Sequence, residues 1–172
     1  FVAARRGACG AEDNIASLVA ANADVDARDA DRQTPLHEAA SQGHAAACAM
    51  LVSLNADIDA RERSDHTPLH NAAINGHAST CSTLVSLNAD IDACHEYGRT
   101  PLHYAALYGH ASTCATLVSL KADINACDVY HYMPLHEAAY SGHTSACATL
   151  VSLNAAVDVR NSENRTPLHL AA

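Results

Sequence analysis

The chain has 172 residues, of which 49% are hydrophobic but only 4% aromatic, so its core must be built from alanine, leucine, valine and isoleucine. Nineteen acidic and ten basic residues give a formal charge of -9, which opposes binding to the phosphates of nucleic acids. No apolar run approaches the ~18 residues of a membrane span, so we expect a chain that does not insert into membranes.

Short motifs recur along the chain at a constant interval. Thr-Pro-Leu-His begins at Thr34, Thr67, Thr100 and Thr166, and Met-Pro-Leu-His begins at Met133. A Gly-His pair recurs with the same 33-residue step at Gly43, Gly76, Gly109 and Gly142. Two markers in phase indicate an internal repeat. They predict one repeat domain over 1–172, with a degenerate unit at 1–33, full units at 34–66, 67–99, 100–132 and 133–165, and the start of a further unit at 166–172.

The first unit keeps the phase of the later ones without their opening motif. Leu18, Val19 and the stretch 23–27 stand at the same register as their later counterparts. Residues 1–4, Phe-Val-Ala-Ala, replace Thr-Pro-Leu-His. At the other end, the chain stops inside a predicted helix, so we expect it to be a segment of a longer array.

Each full unit carries the signals of two helices. Thr34 can cap a helix whose first residue is proline, because proline there gives up an amide that has no helical partner. Gly43 can take the left-handed conformation that ends this helix. Cys48, Leu51 and Val52 then lie at i, i+3 and i+4, which predicts a second helix with one apolar face.

The second helix is followed by asparagine in three units, at Asn55, Asn88 and Asn154, and asparagine tolerates a left-handed helix end. Lys121 departs from this pattern, and Met133 departs from the first cap because it has no hydroxyl. The polar stretch that comes next is too short for a helix and predicts a β-turn.

This pattern resembles the ankyrin repeat, in which a β-turn precedes two antiparallel helices. The signature Thr-Pro-Leu-His-x-Ala-Ala is matched at 34–40 and in later units, and the ending at 122–126 fits as well. The resemblance covers nearly the whole chain and implies an all-α fold with short β-turns, a solenoid of stacked helix-turn-helix units. It says little about the partner, because a fold alone does not define a function.

The resemblance also singles out one turn position, which the family usually fills with glycine. In this chain the position holds Arg32, Asp65, Gly98, His131 and Asn164. We therefore expect the turns at Arg32 and His131 to be strained or differently shaped.

Nine of the twelve histidines belong to the two repeat markers, so their spacing is explained by the repeat. The resemblance implies that the motif histidines bridge backbone and threonine groups of neighbouring units; they are His37, His70, His103, His136 and His169. The histidines that follow glycine are expected at the start of the second helices; they are His44, His77, His110 and His143.

The seven cysteines are expected to be free thiols. Four of them, Cys48, Cys81, Cys114 and Cys147, share the apolar stripe of the second helix, where successive copies lie about one helix spacing apart, ~8–10 Å. That spacing exceeds the ~7 Å limit for the Cα atoms of a disulfide. The odd number and the absence of a Cys-x-x-Cys motif favour a reducing compartment, cytoplasmic or nuclear.

The acidic pairs and potential nucleophiles are also assigned to structure. The pairs Asp24/Asp26, Asp57/Asp59 and Asp90/Asp92 lack the twelve-residue loop of a calcium hand and are expected to form turns. Every candidate serine, cysteine or histidine has equivalents in other units, whereas an active site needs one asymmetric constellation. We therefore expect no catalysis, no metal and no cofactor.

All six tyrosines vary between units and lie within 97–140. The resemblance places turns and first helices on a concave partner-binding surface. The predicted contact residues are Tyr97, Arg99, Tyr104, Tyr108, Tyr130, His131, Tyr132, Tyr140 and His66. Tyr104 and Tyr108 are the sharpest candidates, because residues four apart share one helix face. Alternatively, the tyrosines are tolerated surface residues or pack on one another over an alanine-rich face.

The leading interpretation is a non-enzymatic module that binds a partner protein or peptide, with a basic or mixed segment favoured by the acidic charge. One alternative is a structural spacer or self-association element of a larger protein. Another is a metal or small-molecule site formed by His66, His95 or His131. The sequence does not identify the partner.

Overall fold

The computed structural model describes residues 11–172, with side chains from residue 13 onward. This part of the chain contains helices and turns and no β-strand. The helices are α1 (Ala11–Ala20), α2 (Pro35–Ser41), α3 (Ala45–Ser53), α4 (Pro68–Ile74), α5 (Ala78–Ser86), α6 (Pro101–Leu107), α7 (Ala111–Ser119), α8 (Pro134–Tyr140), α9 (Thr144–Ser152) and α10 (Pro167–Ala171). The prediction of an all-helical fold is confirmed, while the irregular start at 1–4 lies outside the described residues.

The helices alternate between a short first helix and a longer second one. The first helices α2, α4, α6 and α8 have seven residues each, and the second helices α3, α5, α7 and α9 have nine. Every first helix begins at the proline of the repeated motif, as the capping argument predicts. None of the helices in 11–172 is long and apolar enough to cross a bilayer.

The chain divides between Asp90 and Ile91 into two compact units. In residues 11–90, α2 packs on α3 and α4, while α3 packs on α1 and α5. In residues 91–172, α8 packs on α6, α9 and α10, while α7 packs on α6 and α9. Within each unit, first helices therefore stack on first helices and second helices on second helices.

The core consists of the leucines and small residues that recur in each repeat. The motif leucines Leu36, Leu69 and Leu102 are completely buried, as are Leu84 and Leu117 of the second helices. The thiols of Cys48, Cys81 and Cys114 are buried beside them, and burial raises the pKa of each to about 12. These thiols stay protonated and pack as small apolar groups.

A reciprocal hydrogen-bond pair between threonine and histidine opens the first helices that follow a threonine. At α2, the amide of Thr34 donates to Nδ1 of His37 over 3.2 Å, and the amide of His37 donates to Oγ1 of Thr34 over 3.4 Å. Because Nδ1 is an acceptor, Nε2 carries the proton and donates to the carbonyl oxygen of His66 over 3.0 Å. His37 thus links two turns, and the bridging role implied by the resemblance is confirmed for it.

The same bridge recurs in residues 91–172. Nε2 of His103 lies 3.0 Å from the carbonyl oxygen of Tyr132, and Nε2 of His136 lies 3.2 Å from that of Arg165. Met133 lacks the hydroxyl, as expected, but its amide still donates to Nδ1 of His136 over 3.2 Å. Half of the cap therefore survives the loss of threonine.

The Gly-His pair has a packing role that the sequence did not predict. Gly109 has a φ of +76°, and a Cβ there would lie 2.6 Å from the ring of His143 in the next repeat. His143 stands at the start of α9 but gives it no side-chain cap. Glycine is thus required twice, by the left-handed backbone and by the ring stacked on it.

The aspartate pairs form turns, as predicted, and also join successive repeats. Oδ1 of Asp57 accepts the amide of Asp59 in its own turn over 3.2 Å. Asp59 then accepts the amide of Asp90 in the next repeat over 3.1 Å. In residues 91–172, Asp92 accepts the amide of Asp123 over 3.0 Å in the same way.

Left-handed residues recur at two positions of the repeat. The second residue after each second helix is left-handed at Asn55, Asn88, Lys121 and Asn154, so the lysine adopts the conformation predicted for asparagine. The turn position is left-handed at Arg32, Asp65, Gly98, His131 and Asn164, with φ between 59° and 78°. The turns at Arg32 and His131 are thus not differently shaped; these residues adopt the glycine conformation at a steric cost.

Candidate functional site

The candidate site lies on three turns and two first helices of residues 91–172. An acceptor side chain holds each turn closed from within. In the middle turn, Oδ1 of Asp128 accepts the amides of Tyr130 and Tyr132 over 2.8 and 2.9 Å. His95 and Asn161 do the same for the flanking turns, through the amides of Arg99 and Arg165. The turn tips are consequently fixed loops.

Backbone hydrogen bonds also join one turn to the next. The amide of Val129 donates to the carbonyl oxygen of Tyr97 over 3.0 Å, and the amide of Ser162 donates to that of Tyr130 over 3.0 Å. Gly98 lies beside this junction, where a Cβ would come 3.3 Å from Cα of Asp128. Side chains at these tips therefore project from a shared, preorganised backbone.

Five of the six predicted tyrosines reach the surface. Tyr140 is 66% exposed and Tyr130 is 52% exposed, with Tyr97 and Tyr108 close to one half. Tyr132 is half-buried. These rings keep large apolar faces in water, and such exposed faces are typical of residues that become buried on binding.

Tyr104 is placed differently from the expectation. It is only 8% exposed, and its ring lies edge-on against His95 with 5.6 Å between the centroids. Tyr108 ends α6 as its C-cap and is exposed. The two residues are four apart but do not form a common exposed pair. His95, which accepts the amide of Arg99 in the turn at 95–99, packs against the ring of Tyr104.

Two grooves open between the exposed tyrosines. The Tyr132 groove has a volume of about 330 Å³ and is lined by Arg99, Tyr130, Tyr132, Glu137, Tyr140, Ser162 and Glu163. The Tyr97 groove has a volume of about 290 Å³ and is lined by His95, Tyr97, Arg99 and Tyr130. Arg99 and Tyr130 belong to both, so the two grooves are neighbours. Each volume stands near the lower end for ligand sites, ~300 Å³, a size that suits single side chains.

Arg99 is held in place by two buried carboxylates. Its Nε lies 3.3 Å from Oδ2 of Asp128, and its Nη2 lies 2.6 Å from Oε1 of Glu137. Both acidic side chains are almost fully buried, while the guanidinium is 29% exposed. Burial raises the pKa of the Glu137 carboxyl, and Asp128 raises it further against the opposing effect of Arg99. One positive charge is thus shared between two acids.

The hydroxyls of Tyr97 and Tyr132 remain protonated over the physiological range. Burial, followed by the nearby Glu163 carboxylate, raises the pKa of Tyr132 above its ordinary value. The Glu96 carboxylate raises the pKa of Tyr97. Both phenols are therefore neutral hydrogen-bond donors and acceptors.

The histidines of the alternative metal hypothesis occupy separate turns, and His66 and His95 have partners there. His66 lies 3.3 Å from Glu62 and stacks on the ring of His70, within residues 11–90. His95 accepts the amide of Arg99, and His131 is exposed at a left-handed turn position. Among residues 11–172, no three histidine, cysteine or acidic side chains are grouped so that they could hold a metal ion.

The grooves bring together five of the nine predicted contact residues and leave the others apart. Five predicted contact residues line the grooves: Tyr97, Arg99, Tyr130, Tyr132 and Tyr140. The other four line neither groove: Tyr104, Tyr108, His131 and His66. Sequence reasoning missed Asp128 and Glu137. Glu137 could have been found from the sequence. It follows the motif histidine directly, and a charged residue that is buried at this position needs a partner of opposite charge.

Comparison with protein families agrees with the repeat architecture. A family model for ankyrin repeats in three copies matches residues 59–128 and 116–172, and a second model for ankyrin repeats in many copies matches residues 3–52. A search among curated proteins found no match. Since the family models cover well over half of the chain, and since the structure shows the same paired helices and turns, the protein belongs to the ankyrin repeat family.

Proposed function

We propose that the tyrosine-lined grooves of residues 91–172 bind a protein partner and that the chain catalyses no reaction. Ankyrin repeats are generally protein-protein interaction modules. The observation that carries the proposal is the pair of adjoining grooves that share Arg99 and Tyr130. An extended segment could place one side chain in each.

The energetics of tyrosine support a contact surface at this place. Tyr130 and Tyr140 offer rigid rings with few rotamers to lose, and each ring can also form a hydrogen bond. The turns beneath them are already closed by Asp128 and Asn161, so that binding orders little backbone. Exposed aromatic anchors on a fixed backbone are the features of binding hot spots.

The test is a selection of randomised linear peptides on the full chain, followed by affinity measurements on each selected peptide. The double variant Tyr130→Ala, Tyr140→Ala is expected to weaken binding by at least about tenfold, since two hot-spot rings are lost. Both rings are exposed, so the helical circular dichroism should be unchanged. Unchanged affinity for every selected peptide would contradict the proposal and favour the spacer alternative.

A matched control is available in the same part of the chain. Val151 on α9 is 48% exposed and lines neither tyrosine groove. Val151→Ala removes exposed apolar surface without touching the turns, so it should leave peptide affinity unchanged. An equal loss in both variants would show that exposed apolar surface in general, and not the tyrosine grooves, binds the peptides.

A further inference from the structure

The charges around the Tyr132 groove are unequal. Arg99 is the cation that lines the groove, and both Asp128 and Glu137 contact it. The three side chains together carry two negative charges and one positive charge. An incoming anion would meet a guanidinium that is already neutralised. An incoming cation would meet the excess of carboxylate charge, which low solvent exposure strengthens.

Glu137 has an acceptor atom whose contact with Arg99 is ionic but poorly aligned for a hydrogen bond. Its residue is 2% exposed, and its Oε1 accepts no aligned hydrogen bond within residues 11–172, although Arg99 lies 2.6 Å away. The distance marks a strong ionic contact, while the misalignment leaves the carboxylate short of donors. A buried acceptor in this condition is stabilised by any further donor that enters the groove.

Glu163 provides a second carboxylate at the rim of the groove. It pairs with Arg165 over 3.3 Å, but both side chains are more than half exposed. An exposed ion pair contributes little, because water screens it and both side chains lose rotamer freedom. Glu163 can therefore exchange this partner for a cation bound in the groove.

Three aromatic rings complete the walls. Tyr130, Tyr132 and Tyr140 line the groove together with the two glutamates. The face of a tyrosine ring attracts a cation, and a planar guanidinium can stack on it while donating hydrogen bonds to carboxylates from its edge. An ammonium group is a compact point charge that cannot do both in the same way.

We infer that the Tyr132 groove receives an arginine side chain of the partner, stacked against the tyrosine rings and donating to the carboxylates of Glu163 and Glu137. This inference rests on the proposed function and adds the chemistry of the ligand. The overall charge of the chain, -9, also favours approach of a basic segment. The Tyr97 groove then accommodates a neighbouring side chain of the same segment.

The test uses the peptides from the selection whose binding depends on Tyr130 and Tyr140. Arginine should be enriched at one position among them. Each peptide is synthesised again with citrulline at that position, which keeps the shape of arginine and removes its charge. Citrulline should weaken binding by about tenfold or more, since it loses the charged hydrogen bonds.

The protein side is tested with Glu163→Gln, an exposed and nearly isosteric change. It should weaken the arginine peptides by several-fold and leave their citrulline forms unaffected. Asp158→Asn is the control, because Asp158 is an exposed acid that lines neither tyrosine groove. It should leave both peptide forms unchanged, which excludes a general effect of net charge.

The outcomes separate this inference from the proposed function. Tyrosine-dependent peptides that lack arginine, that tolerate citrulline, or that are rich in acidic or phosphorylated residues would overturn the arginine assignment and leave the interaction surface in place. A selection in which no peptide depends on the tyrosines would overturn both.

Discussion

The turns of residues 11–90 and those of residues 91–172 share a backbone conformation and differ in what their side chains do. In the first group, charged side chains bind one another: Arg61 pairs with Asp65 at 3.0 Å, and Arg63 lies 3.9 Å from Asp31. In the second group, Tyr97, Tyr130 and Tyr132 lie in the turns and line two open grooves. The repeat fixes the backbone geometry, and the variable turn residues determine whether side chains pair with one another or line an open groove.

The largest difference between the two groups is expected in how much their ion pairs contribute to the free energy of unfolding. Arg99→Ala leaves the buried Asp128 and Glu137 without their cation, which should lower the free energy of unfolding by about 3–5 kcal/mol. Arg63→Ala removes a pair whose side chains are both 69% exposed and should cost less than about 1 kcal/mol. Urea titrations of both variants check this. Equal losses would mean that Arg99 is not the centre of a buried network.

Substitutions in the core should destabilise the two groups by similar amounts. Leu36 and Leu102 occupy the same repeat position and are both completely buried. Replacing either with alanine should cost ~2–5 kcal/mol, because the transfer energy is lost and a cavity remains. The free energy of unfolding of each variant measures the effect. A loss below about 1 kcal/mol at Leu102 would show that the face of the first helix assigned to the core is wrong.

Acid should weaken both groups through their buried histidines. Burial lowers the pKa of His103 to about 4, and burial also lowers the pKa values of His37 and His136. Since the unfolded chain binds protons near pH 6.5 and the folded chain does not, stability is retained above that pH and lost as the pH falls toward 4. For His103 alone, the loss between pH 7.5 and pH 5 is about 2 kcal/mol.

Urea midpoints across this pH range measure how steeply the stability of the folded state depends on pH. The raised pKa of Glu137 acts in the opposite direction, because its protonation favours the folded state at low pH. His103→Gln removes one titrating group, so it should lower stability at pH 7.5 and flatten the slope. A slope that is unchanged in this variant would contradict the assignment to His103.

The left-handed turn residues should give the smallest effect, equal in both groups. Arg32 and His131 have φ values of 63° and 59°, where glycine avoids the steric cost of a Cβ. Arg32→Gly and His131→Gly should each raise the free energy of unfolding by about 0.5–1 kcal/mol. Gly98→Ala is the reverse change and should lower it by at least as much. Thermal denaturation of the three variants tests the ordering.

The sequence predicts the repeated features well because each depends on local chemistry. The threonine cap, the left-handed asparagines and the buried motif leucines follow from spacing and residue type alone. The grooves could not be predicted in this way, since they depend on contacts between residues about 30 positions apart, such as Arg99 with Asp128. The burial of Tyr104 was not predicted either, because it depends on the packing of its ring against His95 in the turn before α6.

The difference between the two groups of turns is tested most directly by hydrogen exchange of the chain with and without a selected peptide. Slower exchange on binding is expected in the turn amides of 95–99, 128–132 and 161–165, with the turn at 29–33 unchanged. Equal protection at 29–33, or none at 128–132, would contradict the assignment of partner binding to the tyrosine-lined turns.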